Sequence, residues 1–341
     1  MAMNTVSRID ALQSSQWPAP LGTCLSQLGD RVLRLQDEPT ALLKSLYRFG
    51  SLEAGTCNRA CVLRQTTSYQ RLAYSSHCGV ARLRQGAVTM EVFPRQWALA
   101  LAVLAPVGDI GAGTLLFFDA HGALQCQLHV PGGSGRHAFE ELVCAMLHPD
   151  QTLLPRPHPA PTPLDAGRVN LAALEQGWSV LREPQDFAAL LRRHGLRRLR
   201  AYRLVRDKFA RPVSLDSVSA LLTLGALRQT PLSLRCGNKG CVQRFEGMLP
   251  LPVWQGDRLS LCRAGMRFSL AMREVASVWR VRKPSADGVV TTVELFDTAG
   301  ERVLTISSGR SRGRLELPSW RTLLADSLLP PDGAALAEAG G

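Results

Sequence analysis

The sequence predicts an α+β fold, a tandem duplication of two similar halves in which each half is an antiparallel β-sheet with flanking helices. Three observations lead to this prediction. A proline-rich segment divides the chain near its middle. The same local patterns occur in the same order on both sides of that segment, at an offset of about 180 residues. Near the C-terminus, alternating apolar and polar residues are interrupted by two turn signals, which predicts consecutive hairpins.

The central segment from His148 to Asn170 contains six prolines and almost no apolar periodicity. Such segments are extended, semi-rigid connectors. We therefore predict five regions: an N-terminal extension at residues 1–28, a first half at 29–147, a proline-rich linker at 148–170, a second half at 171–329 and a tail at 330–341.

Three pairs of segments and one pair of aromatic residues match in register, and four such matches are unlikely to arise together by chance. Each FD-containing match precedes a predicted short strand and an amphipathic helix, with Phe139 and Trp320 at matching places. The matched segments of the first and second halves are NRACVLR (58–64) with NKGCVQR (238–244), LFFDAHG (116–122) with ELFDTAG (294–300), and the helices at 137–147 and 317–329.

The hairpins of the second half follow from strict alternation. Trp279 and Val281 alternate with Arg280 and Arg282, Asp287 and Gly288 supply a turn, residues 289–296 alternate again, and residues 298–300 turn once more. The closing helix begins near Pro318 or Ser319. Its apolar face predicts packing on the sheet; that face consists of Trp320, Leu323, Leu324 and Leu328.

Composition narrows the class of protein. The chain has 341 residues, 45% hydrophobic content and a formal net charge of +12, which favours an anionic partner such as nucleic acid, an acidic membrane surface or a carboxylate-bearing small molecule. Its nine cysteines form no CxxC pair, which predicts a reducing compartment. No signal peptide is evident, and the longest apolar run, residues 97–108, is short of the roughly 20 residues needed to span a bilayer. We expect a cytoplasmic location without membrane insertion.

Familiar catalytic and metal motifs are absent from the sequence, including GxSxG, Walker and HExxH patterns. The spacings of Cys57 with Cys61 and of Cys236 with Cys241 fit no zinc motif, so we predict small core residues there. His194 lies at helical spacing from apolar residues, and we predict that it packs at the end of their stripe.

Basic residues form three clusters in the second half. Nine basic residues and one acid, Asp207, lie between Arg192 and Arg211; the other clusters are Arg280, Arg282 and Lys283, and the loop GRSRGR at 309–314. Guanidinium groups suit carboxylates and phosphates equally, so the clusters predict a basic-rimmed pocket or groove without choosing its ligand. Nucleic-acid binding through residues 192–211 is one alternative, although few aromatic residues interleave with these charges.

Six segments of the sequence together match the motifs of one known family. They are VWRVRKPSADGVVTTVELFD, CGNKGCVQRFEG, WSVLREPQDFAALLRRHG and ELPSWRTLLADSL, with FFDAHG and VFPRQW in the first half. These segments resemble motifs of the bacterial haemin-degrading and haemin-transport proteins, the HemS-like family, and the resemblance covers about residues 29–329. It implies a tandem duplication of α+β halves, each with a large antiparallel sheet. It also implies a cytoplasmic protein that binds haem for uptake, trafficking and iron utilisation. A haem importer or a haem oxygenase is the implied partner, and haem is the implied ligand.

The same resemblance implies the residues that hold haem. Arg198, Lys283 and Arg310 match the basic residues that hold the propionates, and Phe93 matches an aromatic residue that lines the macrocycle.

The two axial positions are substituted. The position of the family's iron-binding histidine is Gln185, and the position of its arginine is Glu91. Pro184 and Asp186 beside Gln185 are good residues for the start of a helix. Haem binding and trafficking is therefore the leading hypothesis, and oxygen-dependent ring cleavage by a haem-degrading enzyme with other ligands is the alternative.

Overall fold

Two nine-stranded antiparallel β-sheets with flanking helices form the fold, which confirms the predicted α+β class. The structure is a computed structural model that describes residues 29–68, 73–75, 79–86, 88–107, 110–151, 169–309 and 314–331. The N-terminal extension, most of the predicted linker, almost all of the tail and Arg310 lie outside the described residues.

Eighteen strands are described. They are β1 (Val32–Arg34), β2 (Ser51–Cys57), β3 (Cys61–Ser68), β4 (Ala73–Ser75), β5 (Val80–Gln85), β6 (Val88–Val92), β7 (Leu99–Val103), β8 (Thr114–Phe118), β9 (Leu124–His129), β10 (Ala210–Val213), β11 (Leu232–Gly237), β12 (Cys241–Gly247), β13 (Val253–Gln255), β14 (Arg258–Arg263), β15 (Met266–Ala271), β16 (Ser277–Ser285), β17 (Gly288–Phe296) and β18 (Arg302–Ser308).

The described α-helices are seven. They are α1 (Pro39–Ser45), α2 (Ser134–Ala145), α3 (Leu171–Ser179), α4 (Phe187–Arg193), α5 (Arg198–Leu204), α6 (Asp216–Leu227) and α7 (Pro318–Ser327). Their ends follow local chemistry. Asn170 caps α3 by accepting a hydrogen bond from the backbone N–H of Ala173 at 3.0 Å, and Pro318 occupies the first position of α7.

The two sheets share one topology. The strand order is β1-β7-β8-β9-β2-β3-β15-β14-β13 in the first sheet and β10-β16-β17-β18-β11-β12-β6-β5-β4 in the second. The same succession therefore occurs twice, as a duplication requires. Each sheet also takes three strands from the other half of the sequence: β13–β15 extend the first sheet, and β4–β6 extend the second.

Two compact units result from this arrangement. The first unit contains the described residues up to 151 together with residues 236–245 and 263–268. The second unit contains residues 169–235, 246–262 and the described residues from 269 onwards.

The repeated FD motif forms the same turn in both units. The carboxylate of Asp119 accepts hydrogen bonds from the backbone N–H groups of His121 and Ala123, and the carboxylate of Asp297 accepts one from Glu301, each at 2.9 Å. Gly122 and Gly300 have φ of 77° and 74°, which favours glycine. The predicted meander of the second half is confirmed as β16, β17 and β18.

The repeated Asn-x-x-Cys motif forms two interlocked turns in the first unit. The Asn58 side chain accepts from the N–H of Cys61 at 2.9 Å and donates to the carbonyl of Gly237 at 3.0 Å. Asn238 accepts from Cys241 at 2.8 Å and donates to Cys57 at 2.8 Å. Each asparagine thus closes its own turn and holds the turn of the other copy.

The thiols around these turns belong to the core. Cys61, Cys126, Cys236 and Cys241 are buried, as predicted for Cys61, Cys236 and Cys241, whereas the side chain of Cys57, for which the same was predicted, is half-buried. Burial raises the pKa of Cys57 to about 12, with a further contribution from Cys236. Among the described residues, no group of cysteine, histidine and acidic side chains is arranged to hold a metal ion.

Aromatic residues dominate the core of the second unit. The rings of Trp178, Phe187, Phe209 and Tyr202 contact one another, with Trp178 and Phe187 centroids 4.3 Å apart. The indole N–H of Trp178 donates to the carbonyl of Arg282 at 2.9 Å. Helices α3, α4 and α5 thereby pack on the face of the second sheet that carries Trp279, Val281 and Phe296.

Candidate functional site

A buried ion pair lies under the aromatic core of the second unit. Lys283 and Glu294 face the same side of the second sheet and are 4% and 1% exposed. The Lys283 ammonium donates to Oε1 of Glu294 at 2.6 Å. Charged side chains are seldom buried this deeply unless they are paired.

Glu294 is shared by further donors. The Tyr202 hydroxyl donates to Oε2 of Glu294 at 2.9 Å, and the Thr292 hydroxyl donates to Oε1 at 3.1 Å. The guanidinium groups of Arg198 and Arg302 lie 3.7 Å and 3.5 Å from Oε2. Three cations therefore surround one carboxylate, and this charge cluster of Arg198, Lys283, Glu294 and Arg302 carries a net charge of +2.

Phe187, the first residue of α4, lies against two of these cations. The guanidinium carbon of Arg198 is 5.1 Å from the centre of its ring, and the Lys283 nitrogen is 5.0 Å from it. Both distances suit cation–π attraction. Arg198 also donates to the Tyr202 hydroxyl at 3.1 Å. The side chains of Arg198 and Arg302 are 22% and 27% exposed, so they form the accessible part of the cluster.

The charged groups of the cluster shift one another's pKa values. Burial would raise the pKa of Glu294, but the positive charges of Lys283, Arg198 and Arg302 hold it well below its usual value. Burial, together with the charges of Arg198 and Arg302, lowers the pKa of Lys283 to about 8, although Glu294 opposes the shift. At neutral pH the carboxylate is therefore ionised, whereas the ammonium is close to losing its proton.

This pKa predicts how Lys283 affects stability. An unfolded lysine titrates near pH 10.4, so between about pH 8 and about pH 10 the unfolded chain binds this proton and the folded chain does not. The free energy of unfolding of the wild type should therefore rise with pH relative to Lys283→Met, by up to about 1.4 kcal/mol per pH unit. Urea denaturation of both proteins across this pH range measures the difference between their free energies of unfolding. The buried thiols and Tyr202 are present in both proteins, so their titration cancels in this difference. A constant difference would contradict the prediction.

Gln185 lies at the surface of the second unit. It belongs to a 3-10 turn, Pro184–Asp186, and the α-helix begins only at Phe187. The exposed Gln185 amide donates to the Glu183 carboxylate at 3.2 Å. The helix start expected from Pro184 and Asp186 is therefore a 3-10 turn that leads into α4. His194 is half-buried at the C-terminal end of the same helix.

Glu91 and Phe93 lie in the first unit. Glu91 is on β6, and its carboxylate accepts a charge-assisted hydrogen bond from Nε of Arg82 at 3.1 Å. Phe93 follows β6, is half-buried, and donates its backbone N–H to Gly240 at 3.0 Å. Arg310 lies outside the described residues. Of the six predicted site residues, the structure brings Arg198 and Lys283 together in one cluster.

The sequence interpretation missed two members of this cluster, Glu294 and Arg302, and also the Tyr202 hydroxyl that donates to Glu294. A signal existed for Glu294. It alternates with Thr292 and Phe296 on the inward face of β17, where an acidic residue must find cations. No comparable sequence signal exists for Tyr202 and Arg302. Their positions depend on how α5 packs on the sheet and on how β18 pairs with β17.

Comparisons with known proteins identify the family. Residues 21–146 and 195–327 match the family described as the haemin-degrading HemS.ChuX domain. The chain belongs to this HemS family. The match leaves out residues 147–194, which comprise the predicted linker and the start of the second half and include Gln185.

Relatives of this HemS-family chain carry names that concern haem. It is 28% identical over 301 residues to the hemin transport protein HmuS of Yersinia pestis, covering 88% of this chain and 87% of the relative. It is 28% identical over 306 residues to the hemin transport protein HemS of Yersinia enterocolitica, with the same shares covered. The structure of holo-PhuS, a heme-binding protein from Pseudomonas aeruginosa, superposes with a TM-score of 0.84 at 27% identity, covering 90% of this chain and 89% of PhuS.

These names do not concern nucleic acid, so they give no support to the nucleic-acid alternative. Among the helices that the structure describes, none is long and apolar enough to cross a bilayer.

Proposed function

We propose that this protein binds haem and takes part in haem uptake, trafficking and iron utilisation. The observation that supports the proposal is the charge cluster, in which three cations share one carboxylate beside the ring of Phe187. The remaining charge of +2 matches the two propionate groups of haem. Within this proposal the protein works in the cytoplasm, where it receives haem from an importer or delivers it to a haem oxygenase.

Each residue of the cluster has a distinct part in this proposal. Arg198 and Arg302 are accessible and bind the propionates directly. Lys283 is nearly inaccessible and does not bind the propionates. Its ammonium pairs with Glu294, so this carboxylate does not neutralise both arginines. Four further residues are assigned to the haem site by resemblance alone: Gln185 at the axial position, Glu91, Phe93 and Arg310. A glutamine amide is a weaker ligand for ferric iron than an imidazole.

Loss of the two accessible arginines should weaken haemin binding. We expect Arg198→Ala with Arg302→Ala to raise the Kd by at least about a hundredfold, since each removes a charge-assisted hydrogen bond. Titration of the purified protein with haemin, followed in the Soret band, measures this change. The control, Arg192→Ala with Arg203→Ala, removes the same charge from exposed positions. Absence of a saturable Soret change in the wild type, or equal weakening in both double variants, would contradict the proposal.

A histidine at position 185 should restore an imidazole ligand. We expect the ferric haem complex of Gln185→His to gain low-spin character relative to the wild type, because imidazole is a stronger iron ligand than an amide. Absorption and electron paramagnetic resonance spectra of the two complexes give the measurement, and Gln185→Ala is the matched control. An identical spectrum in all three would show that position 185 does not reach the iron.

Oxygen-dependent ring cleavage is the alternative function, and the family's description as haemin-degrading favours it. Incubation of the haem complex with ascorbate under air separates the two functions. Bleaching of the Soret band with release of a linear tetrapyrrole would support degradation. An intact Soret band, with catalase present to remove free peroxide, would support binding and trafficking alone.

A further inference from the structure

A second cationic site lies on the opposite face of the second sheet. Side chains alternate along β16, so Arg280 and Arg282 point away from the face that carries Val281 and Lys283. They enter a cavity of about 410 Å³ between the sheet and α7. The cavity lies within the second unit and is lined by Arg211, Arg280, Arg282, Val289, Thr291, Glu316, Arg321, Leu324, Ala325 and Leu328.

Three of these arginines, Arg211, Arg280 and Arg282, are neighbours on this face of the sheet, and we call them the arginine row. Arg211 on β10 is directly opposite Arg280 on β16, and Arg282 is two residues further along the same face. Like charges placed directly opposite each other destabilise a sheet. The repulsion between these arginines is therefore unfavourable for folding, and such unfavourable arrangements of charge are typical of ligand sites.

The carboxylate in the cavity is already engaged elsewhere. Both oxygens of Glu316 accept hydrogen bonds from Thr291, one from its backbone N–H and one from its hydroxyl at 3.2 Å. Nε of Arg321 lies 3.8 Å from the same carboxylate. The negative charge of Glu316 is therefore balanced by Arg321, and the positive charge of the arginine row is not balanced by Glu316.

No described carboxylate forms an ion pair with the three arginines of the row. Arg280 donates to the backbone carbonyl of Asp207 at 3.1 Å, but its Nε is buried without a hydrogen-bond partner among the described residues. Burial lowers the pKa of Arg280, and the charges of Arg211 and Arg282 also lower it, while the nearby charge of Asp207 opposes the shift without reversing it. An anion placed among these guanidinium groups would offset the repulsion between them.

The rest of the cavity wall is apolar. Leu324 and Ala325 on α7, Leu328 directly after that helix and Val289 on β17 line the cavity together with the arginine row. A ligand that fills the cavity therefore needs an anionic group at one end and an apolar body at the other.

We propose that this cavity binds a small phosphate monoester with an apolar organic group. A phosphate monoester carries about −1.5 to −2 charges at neutral pH and three acceptor oxygens. Its oxygens match the three guanidinium groups in number, whereas a monocarboxylate offers one charge and two oxygens. The organic group packs against α7. This site is independent of haem binding, because it uses the other face of the sheet and different residues.

Calorimetric titration of the full chain with phenyl phosphate tests the proposal. We expect saturable binding that weakens at least about tenfold in Arg211→Gln with Arg282→Gln, both of which are exposed replacements. The control Arg192→Gln with Arg203→Gln, which removes the same charge elsewhere, should bind as the wild type does. Inorganic phosphate should bind more weakly than phenyl phosphate, since it leaves the apolar wall uncovered.

Three outcomes would overturn the proposal. They are absence of saturable binding in physiological salt, equal weakening in the two double variants, and tighter binding of phenylsuccinate than of phenyl phosphate. The haemin Kd, measured for Arg211→Gln with Arg282→Gln, should equal that of the wild type. A parallel loss of haemin and phenyl phosphate binding would show that the two sites are not independent.

Discussion

Replacing Glu294 by glutamine should lower the free energy of unfolding by about 3–5 kcal/mol, the usual effect of removing one partner from a buried charge cluster. Glutamine keeps the volume but leaves Lys283, Arg198 and Arg302 without their shared counter-charge. Lys283 is too deeply buried to be solvated instead. Urea denaturation at neutral pH, followed by tryptophan fluorescence, gives the free energy.

The matched control for this substitution is Glu301→Gln. Glu301 pairs with Arg197 at 2.7 Å at the surface, where its side chain is 65% exposed. Such pairs contribute between about 0 and 1 kcal/mol. If Glu294→Gln were no more destabilising than Glu301→Gln, the cluster would have no structural importance, and the assignment of Lys283 as a buried charge would be wrong.

Asn238→Ala should destabilise the first unit by about 3 kcal/mol, the sum of several hydrogen bonds at about 1 kcal/mol each. Its side chain accepts from Gly240 and Cys241 and donates to Cys57 and Gln125, with all four distances between 2.7 and 3.0 Å. Urea denaturation followed by circular dichroism is a suitable measurement.

Two further variants make the Asn238 result interpretable. Asn238→Asp keeps the acceptor and loses both donors, so an intermediate loss of stability is expected. Asn170→Ala removes a helix cap from α3 and should cost about 1 kcal/mol. A loss in Asn238→Ala no larger than that in Asn170→Ala would mean that the interlocked turns contribute little.

Local patterns predicted much of the fold, because they depend on neighbouring residues. The Asp297 turn, the meander of β16 to β18 and helix α7 all follow from alternation and turn chemistry within short segments. The exchange of β4–β6 and β13–β15 between the sheets could not be predicted in this way. Strand pairing between distant segments depends on edges that exist only after each sheet has formed.

The candidate site was predicted less completely. Resemblance pointed to Lys283 and Arg198, but it assigned Lys283 to a propionate, whereas the structure directs its ammonium to Glu294. Glu294 escaped notice because an acidic residue in an alternating strand is usually exposed. Arg302 joins the cluster across the β17–β18 pairing, which shows a register shift at Leu295 and Phe296. Simple alternation cannot predict which side chains meet at such an irregularity.

The strand exchange also affects how the chain folds while the ribosome makes it. The edge of β3 is covered by β15, which is synthesised about 200 residues later, and the edge of β6 is covered by β12. At a translation rate of about 5–20 residues per second, β15 is synthesised about 10–40 s after β3. During that interval the nascent chain presents open sheet edges, which are able to pair with other chains.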